Sequence, residues 1–292
     1  MTVGRESRAH IKEAIRHARV IVLRSGISLD RDLLDHASSL ELVVRAGVGI
    51  DNIDLQTARR HGVKVFHIPR QSARSVAELA VGLMLSLARK IPIADTQLRM
   101  NVWPKHAMLG LELRGKTVGI VGLGAIGTEV AAIARDGFGM IVIGCVRRRT
   151  RSRALQMATH SIRLTTLRQI LQQSDFICVC LPLSPETQNL ISLPQLRLMR
   201  RTGFIVDVSR SGIIDRQALA LALQEKLIAG AAIDALGDRD DAAAFAGLQN
   251  TVLSPHIGAM TAEAQQRIGH EVVTTIIRAL ADPTWQAPHR VV

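Results

Sequence analysis

Gly122, Gly124 and Gly127 have the spacing G-x-G-x-x-G within TVGIVGLGAIG, Thr117 to Gly127, between an apolar run of strand character and a helical pattern. At such a turn the first glycine allows the bend, the second lets backbone approach a bound group, and the third lets helix pack on strand. The helix start then offers unpaired N–H groups and the positive end of its dipole, so the chemistry available is the binding of an anion such as a pyrophosphate. A second apolar strand, Met140 to Cys145, completes a βαβ mononucleotide-binding half and leads into Val146, Arg147, Arg148, Arg149, Thr150 and Arg151. A site for NAD commonly carries a carboxylate at that strand end, about twenty residues after the turn, to accept hydrogen bonds from the ribose hydroxyls. Val146 removes the group that would repel a 2′-phosphate, and Arg147 and Arg148 add planar donor forks that suit one. The expected cofactor is NAD(P), with NADP(H) favoured over NAD(H); the rival reading of the run is a solvated basic loop.

The elements that must position this turn follow from hydrophobic periodicity. The chain opens with an amphipathic helix (Ile11, Ala14, Ile15, Ala18) and a strand, Val20 to Arg24. Helix Leu29 to Ala37, strand Leu40 to Ala46, helix Leu55 to His61 and strand Val63 to Ile68 come next. One long apolar helix is expected from about Ser75 to Asn101, bent at Pro92. Beyond the turn, strands Phe176 to Leu181, Phe204 to Ser209, Ala229 to Ala235 and Val252 to Ser254 alternate with helices Leu193 to Met199 and Asp215 to Lys226, and a last helix runs from about Thr261 to Ala281. Such alternation implies α/β architecture with parallel sheets. Two domains are expected, a discontinuous substrate domain of residues 1–91 and 261–292 and a dinucleotide-binding domain of residues 92–260. Asp238 to Ala244 reads as a polar loop.

Composition narrows the function classes. The 292 residues suffice for two cores, and 47% hydrophobic with 2% aromatic content describes an aliphatic protein. A net charge of +12 and a pI of about 11.0 invite a nucleic-acid reading. Against it, basic residues are spread from Arg5 to Arg290 and side chains able to stack on bases are few, so nucleic acid is not the expected partner. Cys145, Cys178 and Cys180 lie in apolar strands as small hydrophobes, not as a disulfide set or metal site, which fits a reducing, cytoplasmic setting. The longest apolar run, Leu79 to Ala88, is too short to span a bilayer.

Seven segments then carry a resemblance that covers nearly the whole chain: RAGVGIDNIDL from Arg45, SVAELAVGLMLSLAR from Ser75, GKTVGIVGLGAIG from Gly115, LPLSPET from Leu181, VSRSGIIDRQAL from Val208, AAIDAL from Ala231 and SPHIGAMTAEA from Ser254. Together they resemble the D-isomer-specific 2-hydroxyacid dehydrogenases. RSG at Arg24 to Gly26 and MLGLEL at Met108 to Leu113 are similar to its phosphoglycerate dehydrogenase branch, in a short form without a regulatory tail. The resemblance implies a Rossmann-like doubly wound sheet plus a flavodoxin-like substrate domain, shortened at its N-terminus so that Val20 to Arg24 forms an open edge. It also implies hydride transfer between NAD(P)(H) and a small 2-hydroxy or 2-oxo acid, with 3-phosphoglycerate or hydroxypyruvate and glyoxylate as candidates, in a homodimer.

Residue by residue, His256 matches the acid/base, an imidazole that titrates in the right range, and Arg210 matches the arginine that polarises the substrate. Gly47, Val48 and Gly49 match a loop whose N–H groups could hold the carboxylate, and Arg24 could clamp a phosphate. Gly122, Gly124, Ala125, Ile126, Gly127, Pro182, Thr187, Ser209, Asp234 and Gly258 match cofactor-binding positions, with Asp234 on the nicotinamide side. The family places a histidine-orienting glutamate about five residues after Asp234, where Arg239 would instead lower the imidazole's pKa. Asp238 can take that role if the loop is one residue short, with Asp240 as fallback. The missing glutamate also keeps open a second class, a weakly active dinucleotide sensor like the related C-terminal-binding corepressors.

Overall fold

The computed structural model describes residues 7–237, 239–282, 284–285 and 289–292, and for residues 239 and 240 it describes backbone alone. By contact the chain divides into residues 1–72 with 260–292 and residues 73–259.

In the first unit a parallel sheet orders β1 (Val20–Leu23), β2 (Leu42–Arg45) and β3 (Lys64–His67) side by side. Strand β2 lies in the middle and is buried throughout, which is why its sequence reads as a continuous apolar run and not as an alternation. Val43 and Val65 face helices Arg31–His36 and Leu55–Arg60 in a cluster with Leu33, Leu34 and Ala58. Leu42, Val44 and Phe66 face the opposite way, toward Ile268 and Val272 of helix Ala262–Ala281, and Trp285 stacks on Phe66 at 5.4 Å. Both short helices start on aspartate caps: Asp30 accepts the Leu33 N–H at 3.1 Å and Asp54 accepts the Thr57 N–H at 2.9 Å. The chain end adds an antiparallel pairing on β3, where Val291 N–H donates to the Val65 carbonyl at 2.8 Å.

The second unit is built on a seven-stranded parallel sheet of β4 (Thr117–Val121), β5 (Ile141–Cys145), β6 (Arg163–Leu164), β7 (Phe176–Val179), β8 (Phe204–Asp207), β9 (Gly230–Ile233) and β10 (Thr251–Leu253). Its order is β10-β9-β8-β7-β4-β5-β6, so strand order reverses between β4 and β7, where the glycine turn leaves the sheet.

Helix Ala73–Ala88 belongs to this second unit and not to the first, which moves the expected boundary from residue 91 to residue 72. Its apolar face, Val76, Ala77, Ala80, Leu83, Met84 and Leu87, joins the core of Val118, Ile120, Val206 and Ala232. Nor is there one helix bent at Pro92. The first helix ends, Lys90 takes φ 53°, and a second helix, Ile91–Arg99, starts with Pro92 in its first turn, where a missing N–H is tolerated. The expected polar loop contains a short helix, Arg239–Ala243. Helices Arg151–Thr159 and Leu167–Gln173 were not anticipated, although Thr166 and Gln169 form a capping box legible in the sequence.

Candidate active site

The glycine turn has the geometry its spacing requires. Gly122 takes φ 100°, and a Cβ there would stand 2.7 Å from Leu181 and 2.8 Å from the Cys180 carbonyl. At Gly124 a Cβ would meet nothing, which leaves the backbone open to a ligand. At Gly127 a Cβ would lie 2.1 Å from the Gly122 carbonyl, so the helix that holds Ala125 and Ile126 could not pack this closely with any other residue. The turn therefore fits a dinucleotide pyrophosphate at the helix start.

On the two sides of this turn, Arg147 follows β5 and the Pro182–Thr187 loop follows β7. Arg147 Nη2 pairs with Glu186 Oε1 at 3.1 Å, and Ser184 Oγ donates to Glu186 Oε2 at 2.8 Å. The Ser184 hydroxyl, together with the Glu186 N–H and the Arg147 charge, holds the Glu186 carboxyl below its ordinary range. Arg148 is exposed. Thr187 closes its own loop, its Oγ1 donating to the Pro182 carbonyl at 2.8 Å and accepting the Ser184 N–H at 2.8 Å. Arg153, missed from sequence, reaches the glycine turn and donates to the Leu123 carbonyl at 2.7 Å.

Three adjacent strands carry the remaining residues. After β8 comes Ser209, 3% exposed, whose hydroxyl donates to Asp207. Arg210 follows, half-buried, with Nη1 on the Ser209 carbonyl at 2.8 Å. After β9 comes Asp234, 4% exposed. Its carboxylate accepts Ser254 Oγ at 2.7 Å, the Ile257 N–H at 2.8 Å and the Gly258 N–H at 2.9 Å. These fill three of about four acceptor sites on a carboxylate and fix the turn after β10 that carries His256. His256 itself is exposed at φ 57°.

Asp238 lies outside the described residues. Sequence reasoning passed over Asp241, whose Oδ2 accepts Ser211 Oγ at 2.6 Å and the Gly237 N–H at 2.9 Å. Burial acts to raise its pKa, yet these two donors and the Arg216 charge together hold the carboxyl below its ordinary range.

In the first unit, Gly47 takes φ 155° and its N–H donates to the Arg45 carbonyl at 2.8 Å. Of the three residues expected to present N–H groups, Gly47 thus has its own engaged within the turn. A Cβ on Gly47 would stand 2.6 Å from Arg45 Nη1, so a buried guanidinium lies directly against this loop. His67 Nδ1 holds the Val48 carbonyl at 2.9 Å. Arg24 is exposed and donates to Gln265 Oε1 at 2.7 Å.

A doubly wound parallel sheet with an anion-binding glycine turn at its reversal point defines a dinucleotide-binding α/β protein. Residues 81–258 match the NAD-binding domain of the D-isomer specific 2-hydroxyacid dehydrogenases, and the chain belongs to that family. It is 38% identical to a hydroxypyruvate reductase of Thermotoga maritima over 265 residues, 89% of this chain and 84% of that one. It is also 38% identical to D-3-phosphoglycerate dehydrogenase of Methanocaldococcus jannaschii over 277 residues, 94% of this chain and 52% of that one. The chain thus spans about half the length of the phosphoglycerate dehydrogenases it matches. Among solved structures it is similar to a glyoxylate reductase from Paecilomyes thermophila, with a TM-score of 0.85 at 27% identity, covering 97% of this chain and 87% of that one. No helix among the described residues is long and apolar enough to cross a membrane.

Proposed function

We propose that the protein transfers hydride between NAD(P)(H) and a small D-2-hydroxy acid or its 2-oxo counterpart, with 3-phosphoglycerate-like acids or hydroxypyruvate and glyoxylate as candidate substrates. One observation carries the reading: Arg210, Asp234 and His256 follow three neighbouring strands, β8, β9 and β10, at the same end of the sheet as the glycine turn. When bound, the nicotinamide supplies the hydride donor or acceptor. His256 takes the hydroxyl proton in oxidation and returns it in reduction. Arg210 offers its fork to the substrate carboxylate and to the carbonyl oxygen as charge grows there. In the first unit the N–H groups of Val48 and Gly49 hold the carboxylate, and Arg24 offers a cation to a phosphorylated substrate. Asp238 orients the imidazole, with Asp240 as its alternative.

A panel of 2-oxo acids assayed with NADH and NADPH, read by loss of cofactor absorbance, tests this directly. Turnover of none of them alongside tight dinucleotide binding would move the protein to the sensor class. Arg24→Ala should raise KM for a phosphorylated acid and leave that for glyoxylate unchanged.

The same reading takes the protein as a cytoplasmic homodimer. Between Ile91 and Leu111 the side chains of Met100, Trp103 and Leu109 are 70%, 80% and 85% exposed, an apolar stretch that a second copy would cover. Light scattering checks the mass in solution.

A further inference from the structure

Beneath the strand ends that carry Arg210 and Asp234 lies an ion pair that the hydride-transfer reading does not use. Arg216 opens helix Arg216–Gln224, and its Nη1 stands 3.0 Å from Asp207 Oδ2, with side-chain exposures of 9% and 1%. Its other terminal nitrogen, Nη2, donates to the Ala235 carbonyl at 2.6 Å. Its Nε is buried and finds no hydrogen-bond partner among the described residues. Asp207 is equally occupied. Oδ1 accepts the Ser209 N–H at 3.1 Å as well as the Ser209 hydroxyl, and its backbone carbonyl accepts the N–H groups of Asp234 at 2.9 Å and Ala235 at 3.3 Å.

A buried ion pair is a poor way to gain stability, because desolvation offsets much of the attraction, and a buried nitrogen without an acceptor makes it poorer. What the pair does supply is position. It joins the residue before Arg210 to the residue after Asp234, and Asp234 in turn holds the turn that carries His256.

We propose that Asp207 and Arg216 are positioning residues: through Ser209 and Ala235 they fix the loop of Arg210 against the strand end of Asp234, and so set the aim of Arg210 and His256 on one substrate. The inference rests on the hydride-transfer reading for its catalytic consequence and on geometry alone for its structural one. A lysine at position 216 would keep the charge beside Asp207 but could not fork to the Ala235 carbonyl as well.

The experiment compares the unmutated chain, Arg216→Lys and the double variant Asp207→Asn with Arg216→Met. Each is measured for Tm, dinucleotide Kd, kcat on the best 2-oxo acid, and amide exchange. Removing both charges together avoids an uncompensated buried ion, so the double variant is expected to fold with a Tm near that of the unmutated chain. Its kcat should nevertheless fall by at least about tenfold, because misplacement of positioned groups is costly, while Kd stays within about threefold. Exchange at the Ser209, Ile257 and Gly258 N–H groups should quicken by at least about tenfold, with that at Gly122 unchanged. A kcat that follows Tm back to the unmutated value would overturn the inference and leave the pair a structural one. Should the unmutated protein turn over no 2-oxo acid, the hydride-transfer reading falls on its own, and unchanged exchange at Ile257 and Gly258 would then be the result that overturns this inference.

Discussion

Asp234 Oδ2 accepts the Gly258 N–H at 2.9 Å, and a Cβ on Gly258 would stand 3.1 Å from that oxygen and 3.2 Å from Val76. The approach of backbone to carboxylate is therefore close enough that the residue type matters on both sides. Asp234→Asn replaces one acceptor oxygen with an amide that faces N–H donors. Hydrogen bonds to a charged group are worth about 1.5–3 kcal/mol, so losing one or two should loosen the turn by enough to cut kcat at least about tenfold. Gly258→Ala should do the same through crowding. Crystal structures and steady-state kinetics of both variants check this, and an unchanged kcat in both would detach the turn from catalysis.

Replacing His256 tests the acid/base assignment, and its backbone dictates the choice of substitute. At φ 57° asparagine is among the residues that tolerate the left-handed region best, so His256→Asn should keep the turn while removing the titrating nitrogen. Turnover should fall by about a hundredfold to ten-thousandfold, the usual contribution of a positioned base, with dinucleotide Kd within a few fold. Turnover equal to that of the unmutated protein would take the imidazole out of the mechanism.

Asp241 makes a prediction about pH. Its folded pKa lies below the ordinary carboxylate value, so the stabilisation it provides is complete above that ordinary value and is lost as pH falls through the lowered folded one. Asp241→Asn should therefore lower Tm at neutral pH and make no difference at a pH below the folded value. Thermal melts across the acid range read this out. Asp238→Ala is a separate test, expected to cut kcat about tenfold to a hundredfold and to move the acidic limb of the rate profile downward, since a carboxylate neighbour raises a histidine's pKa. If Asp240→Ala does this and Asp238→Ala does not, the histidine's partner is Asp240.

What the sequence made legible was local. The glycine turn was readable because its three positions act within six residues of one another, and the parallel sheets because βα alternation is a short-range pattern. The contacts that hold the site were not, for they join residues 20 or more positions apart: Asp234 to Ser254, Ile257 and Gly258, and Ser211 to Asp241. Nothing in the sequence sets Arg216 apart from the other arginines of so basic a chain, whereas an acid inside an apolar strand, Asp207, is a signal that points to a buried partner. The unit boundary differs from the expected one because helix Ala73–Ala88 is apolar enough to fit either neighbour, and only its packing on helix Ala125–Ala132, β8 and β9 decides. The pairing of residues 289–292 with β3 has no periodicity to reveal it.

The expected preference for NADPH can be tested at the pair formed by Arg147 and Glu186, whose Nη2 and Oε1 stand 3.1 Å apart. The expectation that NADPH is favoured rests on Val146, which leaves the end of β5 without a carboxylate, and on the arginines that follow. Glu186 complicates it, because an ionised carboxylate 3.1 Å from Arg147 both competes for that guanidinium and repels a 2′-phosphate. Both side chains are exposed, at 74% and 55%, so the pair is worth little and is expected to yield to a doubly charged ligand. The net expectation is a kcat/KM ratio that favours NADPH over NADH by at least about tenfold at low salt, shrinking as salt screens the charges. Arg147→Ala with Arg148→Ala should remove most of the preference. Glu186→Gln should increase it, by freeing Arg147 and removing a negative charge from beside the phosphate; the same change should leave kcat/KM with NADH within about twofold, since NADH brings no charge to that position. The two variants thus move the ratio in opposite directions. A preference for NADH in the unmutated protein, or a fall in the NADPH preference on Glu186→Gln, would return the arginine run to a solvated loop and make Glu186 itself the group that holds the ribose hydroxyls.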